Sequence, residues 1–253
     1  MYRLNLHTIY HDEKEIAMLF SQLLKIARFQ LIFMALAISV VVASSLVSQW
    51  VGKASSPDSK KPQYTEVRTT TNEETGAFDV EYIDAKSKVF ATKSLKIPTT
   101  GWHPEIDFTD KRNNISYSFK HTRTGVKVQF NSKKESYTKV IQAKSDFTWD
   151  SGIHFYILQN FDNIIQSDRQ VEIFLPEYGK AFSFTLKAKL LSDGQYLVTM
   201  QPSNMFLKLF VDELKVWYKS KKYLTKYEGI SDIKDAQGEN YNTVIDYTLN
   251  TSP

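Results

Sequence analysis

From residue 64 onward, apolar and polar side chains alternate with a period of two, the pattern of strands buried on one face. The alternation predicts strands at Tyr64–Thr70, Phe78–Tyr82, Val89–Leu95, Ile106–Thr109, Ile115–His121, Val126–Phe130 and Tyr137–Gln142. It predicts more at Val171–Leu175, Phe182–Leu190, Tyr196–Gln201, Leu214–Tyr218, Tyr223–Tyr227 and Asn242–Leu249. Turn-forming stretches such as Asp84–Ser87, Arg123–Gly125 and Ser192–Gly194 separate many of them. Strands at this spacing, with little helix between, make an antiparallel meander rather than β-α-β units. One segment departs from the pattern. Asp150-Ser151 is placed to cap a helix in which Ile153, Phe155, Ile157, Phe161, Ile164 and Ile165 recur at roughly helical spacing, ending near Ser167. A shorter apolar piece, Asn204–Val211, predicts one or two further helical turns. The fold class is mainly β (α+β): a large curved antiparallel sheet or half-open barrel with one packed helix.

The first 63 residues read differently. Residues 29–51 (FQLIFMALAISVVVASSLVSQWV) carry no charge, and as a helix they would reach roughly 34 Å, enough to cross a hydrocarbon core of about 30 Å. A secretory signal cleaved after Ala43, with translation starting at Met1 or Met18, is one reading. An uncleaved transmembrane anchor, with Trp50 at the far interface, is narrowly favoured. Residues 1–28 form a cytoplasmic flank, amphipathic through Ile16, Leu19, Phe20, Leu23 and Leu24, and 52–63 form a Ser-, Pro- and Lys-rich linker. Residues 64–253 are then an exported domain on the periplasmic side of the cytoplasmic membrane.

Composition narrows the chemistry. The 253 residues contain no Cys, which excludes disulfides, thiolate nucleophiles and thiolate metal sites. With 32 basic and 28 acidic residues, the charge balance is too mild for a nucleic-acid partner. Only 9 Gly are present, and no phosphate-cradling loop or nucleophile elbow occurs. His103, His121 and His154 share no metal-ligand spacing, so neither a metal nor a cofactor is expected. His103 is expected in a turn beside an aromatic, and His154 on the exposed side of its helix. A hydrolase would need one of these histidines beside a carboxylate in a cleft. The stretch Asp232–Asn240 superficially follows a calcium loop, but Lys234 and Gly238 break the ligand order, and a polar turn before the last strand is expected. Lys215, Lys219, Lys221, Lys222 and Lys226, interleaved with Trp217, Tyr218, Tyr223 and Tyr227, are candidates for contact with a membrane surface. Lysines on a solvated face, with the aromatics on the other, are the commoner arrangement.

Several short motifs are shared with a little-studied family of exported Gram-negative proteins. They are Ala91-Thr92-Lys93-Ser94-Leu95 closing Tyr82–Leu95, Pro104–Asp110, Phe161–Pro176 with its Phe174-Leu175-Pro176 end, and pieces within Phe206–Tyr247 such as Tyr227–Ile233 and Gly238–Tyr241. The chain resembles that family over about 170 residues. It departs from it in the 17 residues before Met18 and in the length of its apolar run. The resemblance implies export, no established activity, and a strand pattern similar to lipid- and lipoprotein-carrier half-barrels. The functional expectation is a non-enzymatic, membrane-tethered envelope domain binding a lipid or other hydrophobic ligand in the concave sheet. The alternative is a structural or partner-binding component of a cell-envelope assembly.

Overall fold

All thirteen predicted strands form, in a computed structural model that describes residues 48–72, 77–98, 103–203, 213–219 and 223–251. In chain order the strands are β1 (Ser48–Ser55), β2 (Pro62–Asn72), β3 (Ala77–Ile83), β4 (Val89–Lys96), β5 (Glu105–Asp110), β6 (Ile115–Thr122), β7 (Gly125–Asn131) and β8 (Ser136–Ile141). After these come β9 (Phe147–Trp149), β10 (Arg169–Leu175), β11 (Lys180–Leu190), β12 (Gln195–Pro202), β13 (Leu214–Lys219), β14 (Tyr223–Lys234) and β15 (Asn240–Thr251). They make one sheet, ordered β8-β7-β6-β5-β4-β3-β2-β1-β15-β14-β13-β12-β11-β10-β9. Every pairing is antiparallel except that of β9 with β10.

Strand alternation sets the two faces. Phe78, Val80 and Tyr82 of β3, Ile106 and Phe108 of β5, and Val126, Val128 and Phe130 of β7 all point inward and are buried. Their i±1 neighbours face out, as the period of two requires. The sheet then curls until its ends meet. Phe119 of β6 packs against both Trp149 of β9 and Phe174 of β10. Trp149 Nε1 donates to Pro104 O at 3.0 Å. Tyr137 of β8 donates through its hydroxyl to Pro176 O in the single 3-10 turn that follows β10. The barrel is thus closed by side chains rather than by a backbone ladder between β8 and β9.

Two expectations about the chain's start are corrected. The expected linker, residues 52–63, is not a linker: Gly52–Ser55 complete β1, and Pro62 and Gln63 open β2. β1 is the middle strand of the sheet, paired with β15 from Ser48↔Thr251 to Ser55↔Val244 and with β2 on its other edge. The last four residues of the expected 29–51 span, Ser48–Val51, therefore belong to the folded domain, and Trp50 is buried against Tyr223 with ring centroids 6.3 Å apart. Trp50, Gly52 and Ala54 are the inward positions of a two-residue period that merges with the apolar run before it. Residues 1–47, with the amphipathic flank and the rest of the span, lie outside the described residues, as does Asn204–Val211. Among the described residues no helix is long and apolar enough to cross a membrane.

The expected helix is two short ones, α1 (Gly152–Gln159) and α2 (Phe161–Gln166). Residues 152–157 of α1 are all buried. A helix covered on every side lies within a core rather than on it. α1 runs through the barrel interior, with Phe155 near Phe78 of β3 and His154 stacked on Tyr218 of β13. Asp150-Ser151 does not act as the expected side-chain cap. Asp150 instead takes φ +45 and turns its carboxylate into the core.

Candidate functional site

The inward register carries charge as well as hydrocarbon. Lys93 shares the inner face of β4 with Ala91 and Leu95 and is 0% exposed. Its ammonium lies 2.7 Å from Asp150 Oδ1 and 2.6 Å from Asp232 Oδ2. Tyr117 of β6 donates its hydroxyl to Asp150 Oδ2, and stands 3.3 Å from Asp232 Oδ2. Ser151 supplies its backbone N–H and its hydroxyl to Asp150 Oδ1, the latter at 2.6 Å. The ring centroids of Phe108 and Tyr117 are 5.1 Å and 5.9 Å from Lys93 Nζ. Lys93 and Tyr117 come from the first half of the sheet, Asp150 and Asp232 from the second, so this cluster ties the halves together across the interior.

Asp232 reaches the cluster through an irregularity. The β14–β15 register slips between Ile230 and Lys234, and every β14 residue from Gly229 onward is buried. A bulge re-aims side chains in this way. Asp232 belongs to that bulge rather than to the polar turn, which starts at Asp235: Gly238 N–H donates to Asp235 O at 3.2 Å, and Gly238 has φ +84. Among the described residues Asp232 Oδ1 has no hydrogen-bond partner.

A second layer lies alongside on β2, whose inward positions Tyr64, Glu66 and Arg68 alternate with Thr65 and Val67. Tyr247 donates to Glu66 Oε2 at 3.1 Å, and Tyr64 shares a 2.7 Å hydrogen bond with Ser231. The Arg68 guanidinium lies 3.7 Å from the centroid of Phe78. His154 Nδ1 is 3.0 Å from the Tyr218 hydroxyl, while its Nε2 is buried with no hydrogen-bond partner among the described residues.

Burial dominates the titration of these groups. Burial first, and the Asp232 charge second, push Glu66 up to about 8. Burial lowers Arg68 to about 9. Burial also holds His154 well below the usual imidazole range, helped by the Arg68 charge. For Lys93 burial favours the neutral amine, but the two carboxylates outweigh it and raise its pKa. Asp232 is raised, by burial and then by Asp150, against the pull of Lys93.

The sequence-predicted site residues are dispersed. Lys221 and Lys222 lie outside the described residues, and Lys219 is exposed at the end of β13. Lys215 pairs with Glu228 at 3.0 Å, and Lys226 reaches the same carboxylate at 3.5 Å while covering Trp217, 4.5 Å from its ring centroid. Trp217 shares the outer face with these lysines while Tyr218 points inward, so the expected split of aromatics from lysines holds only in part. The histidine rings meet carbonyls and a phenol: His103 pairs with Phe147 O at 2.7 Å, His121 with His103 O at 2.9 Å, and His154 with Tyr218. His103 does lie beside an aromatic, stacked on Trp149. His154 is 0% exposed, contrary to expectation, because α1 runs inside the barrel. Among the described residues no group of three or more acidic and histidine side chains is placed to hold a metal ion.

Sequence reasoning missed Lys93, Asp150, Asp232, Glu66 and Arg68 as an interior cluster. The signal available was parity: Lys93 alternates with Ala91 and Leu95, and Glu66 and Arg68 with Tyr64.

The surface carries a shallower feature. A cleft of about 240 Å³ is lined by Lys144, Ser145, Asp146, Gln170, Glu172 and Ser183 around Val171. It sits where residues 142–146 cross from β8 to β9.

No family model and no curated protein matches the chain. Among solved structures it is similar to a β-barrel-like protein of domain of unknown function DUF1849 from Brucella abortus. The match covers 83% of this chain and 98% of that one, at 8% identity and a TM-score of 0.50. The fold is a β-barrel-like one. At that identity the likeness speaks of architecture and leaves function to the residues.

Proposed function

We propose that the chain is a non-enzymatic component of a cell-envelope assembly, which binds a protein partner with its outer surface. The observation that carries this reading is the occupied interior. α1 and inward side chains such as Tyr82, Phe119, Leu186 and Tyr218, all at 0% exposure, fill the space a lipid carrier would keep open. The same burial supports a non-enzymatic role, because the acid–base groups of the Lys93 cluster have no path to a substrate. Binding of a lipid or hydrophobic ligand in the concave sheet is the weaker reading for the described interior.

An edge strand supports docking. β8 is hydrogen-bonded on one side only, to β7, and Val140 on its outer face is 52% exposed. An open strand edge accepts an extended segment by backbone pairing. The apolar run that begins at Phe29 supports placement at the cytoplasmic membrane, with the barrel in the periplasm.

The test is cross-linking in cells followed by mild detergent extraction of the full chain, with native mass spectrometry of the extract. A specific cross-linked protein, and no lipid retained at one per chain, are expected. A chain always recovered alone, or one carrying stoichiometric lipid, overturns the proposal.

A further inference from the structure

We propose that Lys93 and Asp150 become joined by an isopeptide bond, an amide between Lys93 Nζ and Asp150 Cγ formed by the chain itself, with Asp232 as the proton carrier. The reacting groups already touch, since Lys93 Nζ and Asp150 Oδ1 are 2.7 Å apart. Holding two reactants in contact replaces a bimolecular encounter with an effective concentration on the order of 10⁵ M or more. Asp150 is also the polarised carboxyl of the pair. The Tyr117 hydroxyl donates to one of its oxygens, and the Ser151 N–H and hydroxyl to the other. These donors stand where negative charge develops as nitrogen adds to the carbon. The +45 φ of Asp150 is the backbone distortion that delivers this carboxyl to the amine.

Asp232 is positioned for the protons. Its Oδ2 is 2.6 Å from Lys93 Nζ, and its Oδ1 has no hydrogen-bond partner among the described residues. The ammonium gives up a proton through Asp232, which returns one to the departing oxygen of Asp150. The C–N bond forms and one C–O bond breaks. The oxygen leaves as water with two hydrogens drawn from the ammonium, and Asp232 ends in its starting state. No oxidant, reductant or cofactor enters the balance.

The surroundings favour the amide. Lys93 and Asp150 are both 0% exposed, so the water that would reverse the condensation is excluded. Amide formation also removes two buried charges, each costly to desolvate. The link would fix β4, in one half of the sheet, to the turn after β9, 57 residues along the chain. This inference rests on the interior and is independent of the partner-binding reading.

Intact mass and tryptic mapping of the full purified chain test it. Cleavage next to Lys93 is blocked by the link, so peptide 89–96 is expected joined to peptide 145–169, with the mass of the two less one water. Lys93→Arg is expected to release both peptides at their full masses. Asp232→Asn, with folding confirmed by circular dichroism, is expected to remain unlinked. Recovery of 89–96 and 145–169 as separate peptides of full mass from the native chain overturns the proposal, whatever the variants do. A link from Lys93 to peptide 227–234, which contains Asp232, overturns it as well.

Discussion

Trp149 stacks on Phe119 with ring centroids 5.3 Å apart and planes within 8° of parallel, although the two residues lie on β9 and β6, near opposite ends of the sheet order. This contact, with the Trp149 hydrogen bond to Pro104 O, takes the place of the ladder that a continuous barrel would have between its first and last strands. β9 has only three residues and its neighbour β10 is parallel to it, so the closure rests on side chains.

Trp149→Ala should therefore cost about 3–5 kcal/mol, as large-to-small core changes do. Urea unfolding of the full chain checks this. Trp149→Phe, which keeps the stack and loses only the hydrogen bond, should cost about 1–2 kcal/mol. Equal losses for the two variants would show that the stack does not close the barrel.

The second layer of buried charge predicts a pH profile with two arms. Glu66 is raised from 4.5 to about 8 in the folded state, so between these values the folded chain holds a proton that the unfolded chain releases. Stability then falls as pH rises through that window. Glu66→Gln should remove this fall, which is on the order of 2–4 kcal/mol between pH 5 and 9. On the acid side, His154 stays neutral in the fold while the unfolded chain protonates below about 6.5. Stability from this residue is therefore lost as pH drops below 6.5, and His154→Gln should flatten that arm. Denaturant midpoints measured across pH for the parent and both variants are the check; parallel curves for all three would refute the assignment.

The strands were legible because one side of the sheet is apolar and the other wet, which writes a period of two into β3, β5 and β7. β1 was not, because Trp50, Gly52 and Ala54 continue an apolar run and its outward residues Val51 and Lys53 do not mark a boundary. β9 is too short to show a period. The helix was legible as a helix, but its place inside the barrel was not: spacing alone cannot tell a core helix from one laid across a sheet. The charged cluster was hidden for a related reason. Lys93, Glu66 and Arg68 follow strand parity, yet a charged residue at an inward position reads as a solvated one until its partners are known. Those partners come from a positive-φ turn at Asp150 and a bulge at Asp232, neither of which has a sequence period.

The bulge itself makes a prediction through Gly229. This residue has φ +148, and a Cβ there would collide with Leu214 Cδ2 and come within 3.0 Å of the Tyr227 hydroxyl. Tyr227 donates through that hydroxyl to Ile230 O, so a shift at Gly229 pulls on the segment that delivers Asp232. Gly229→Ala should destabilise by about 2–3 kcal/mol, from strain and overpacking together. Combined with Leu214→Ala, which removes the clashing methyl group, the loss should be less than the sum of the two single effects. Thermal unfolding of the three variants measures the coupling; strict additivity would mean that the glycine is not constrained by Leu214.

The docking reading separates from stability at Val140. This side chain is 52% exposed on the outer face of the unpaired edge β8, opposite Lys127 of β7. Because it buries little, Val140→Lys should change unfolding free energy by no more than about 0.5 kcal/mol. A lysine there adds to the charge of Lys127 and places a solvated group at the edge where a partner strand would pair, a device that natural edges use to prevent such pairing. The variant should fold as the parent does and lose the partner cross-link by tenfold or more, while Lys187→Ala on the outer face of β11 should leave cross-linking intact. If Val140→Lys cross-links as well as the parent, the partner does not dock on β8.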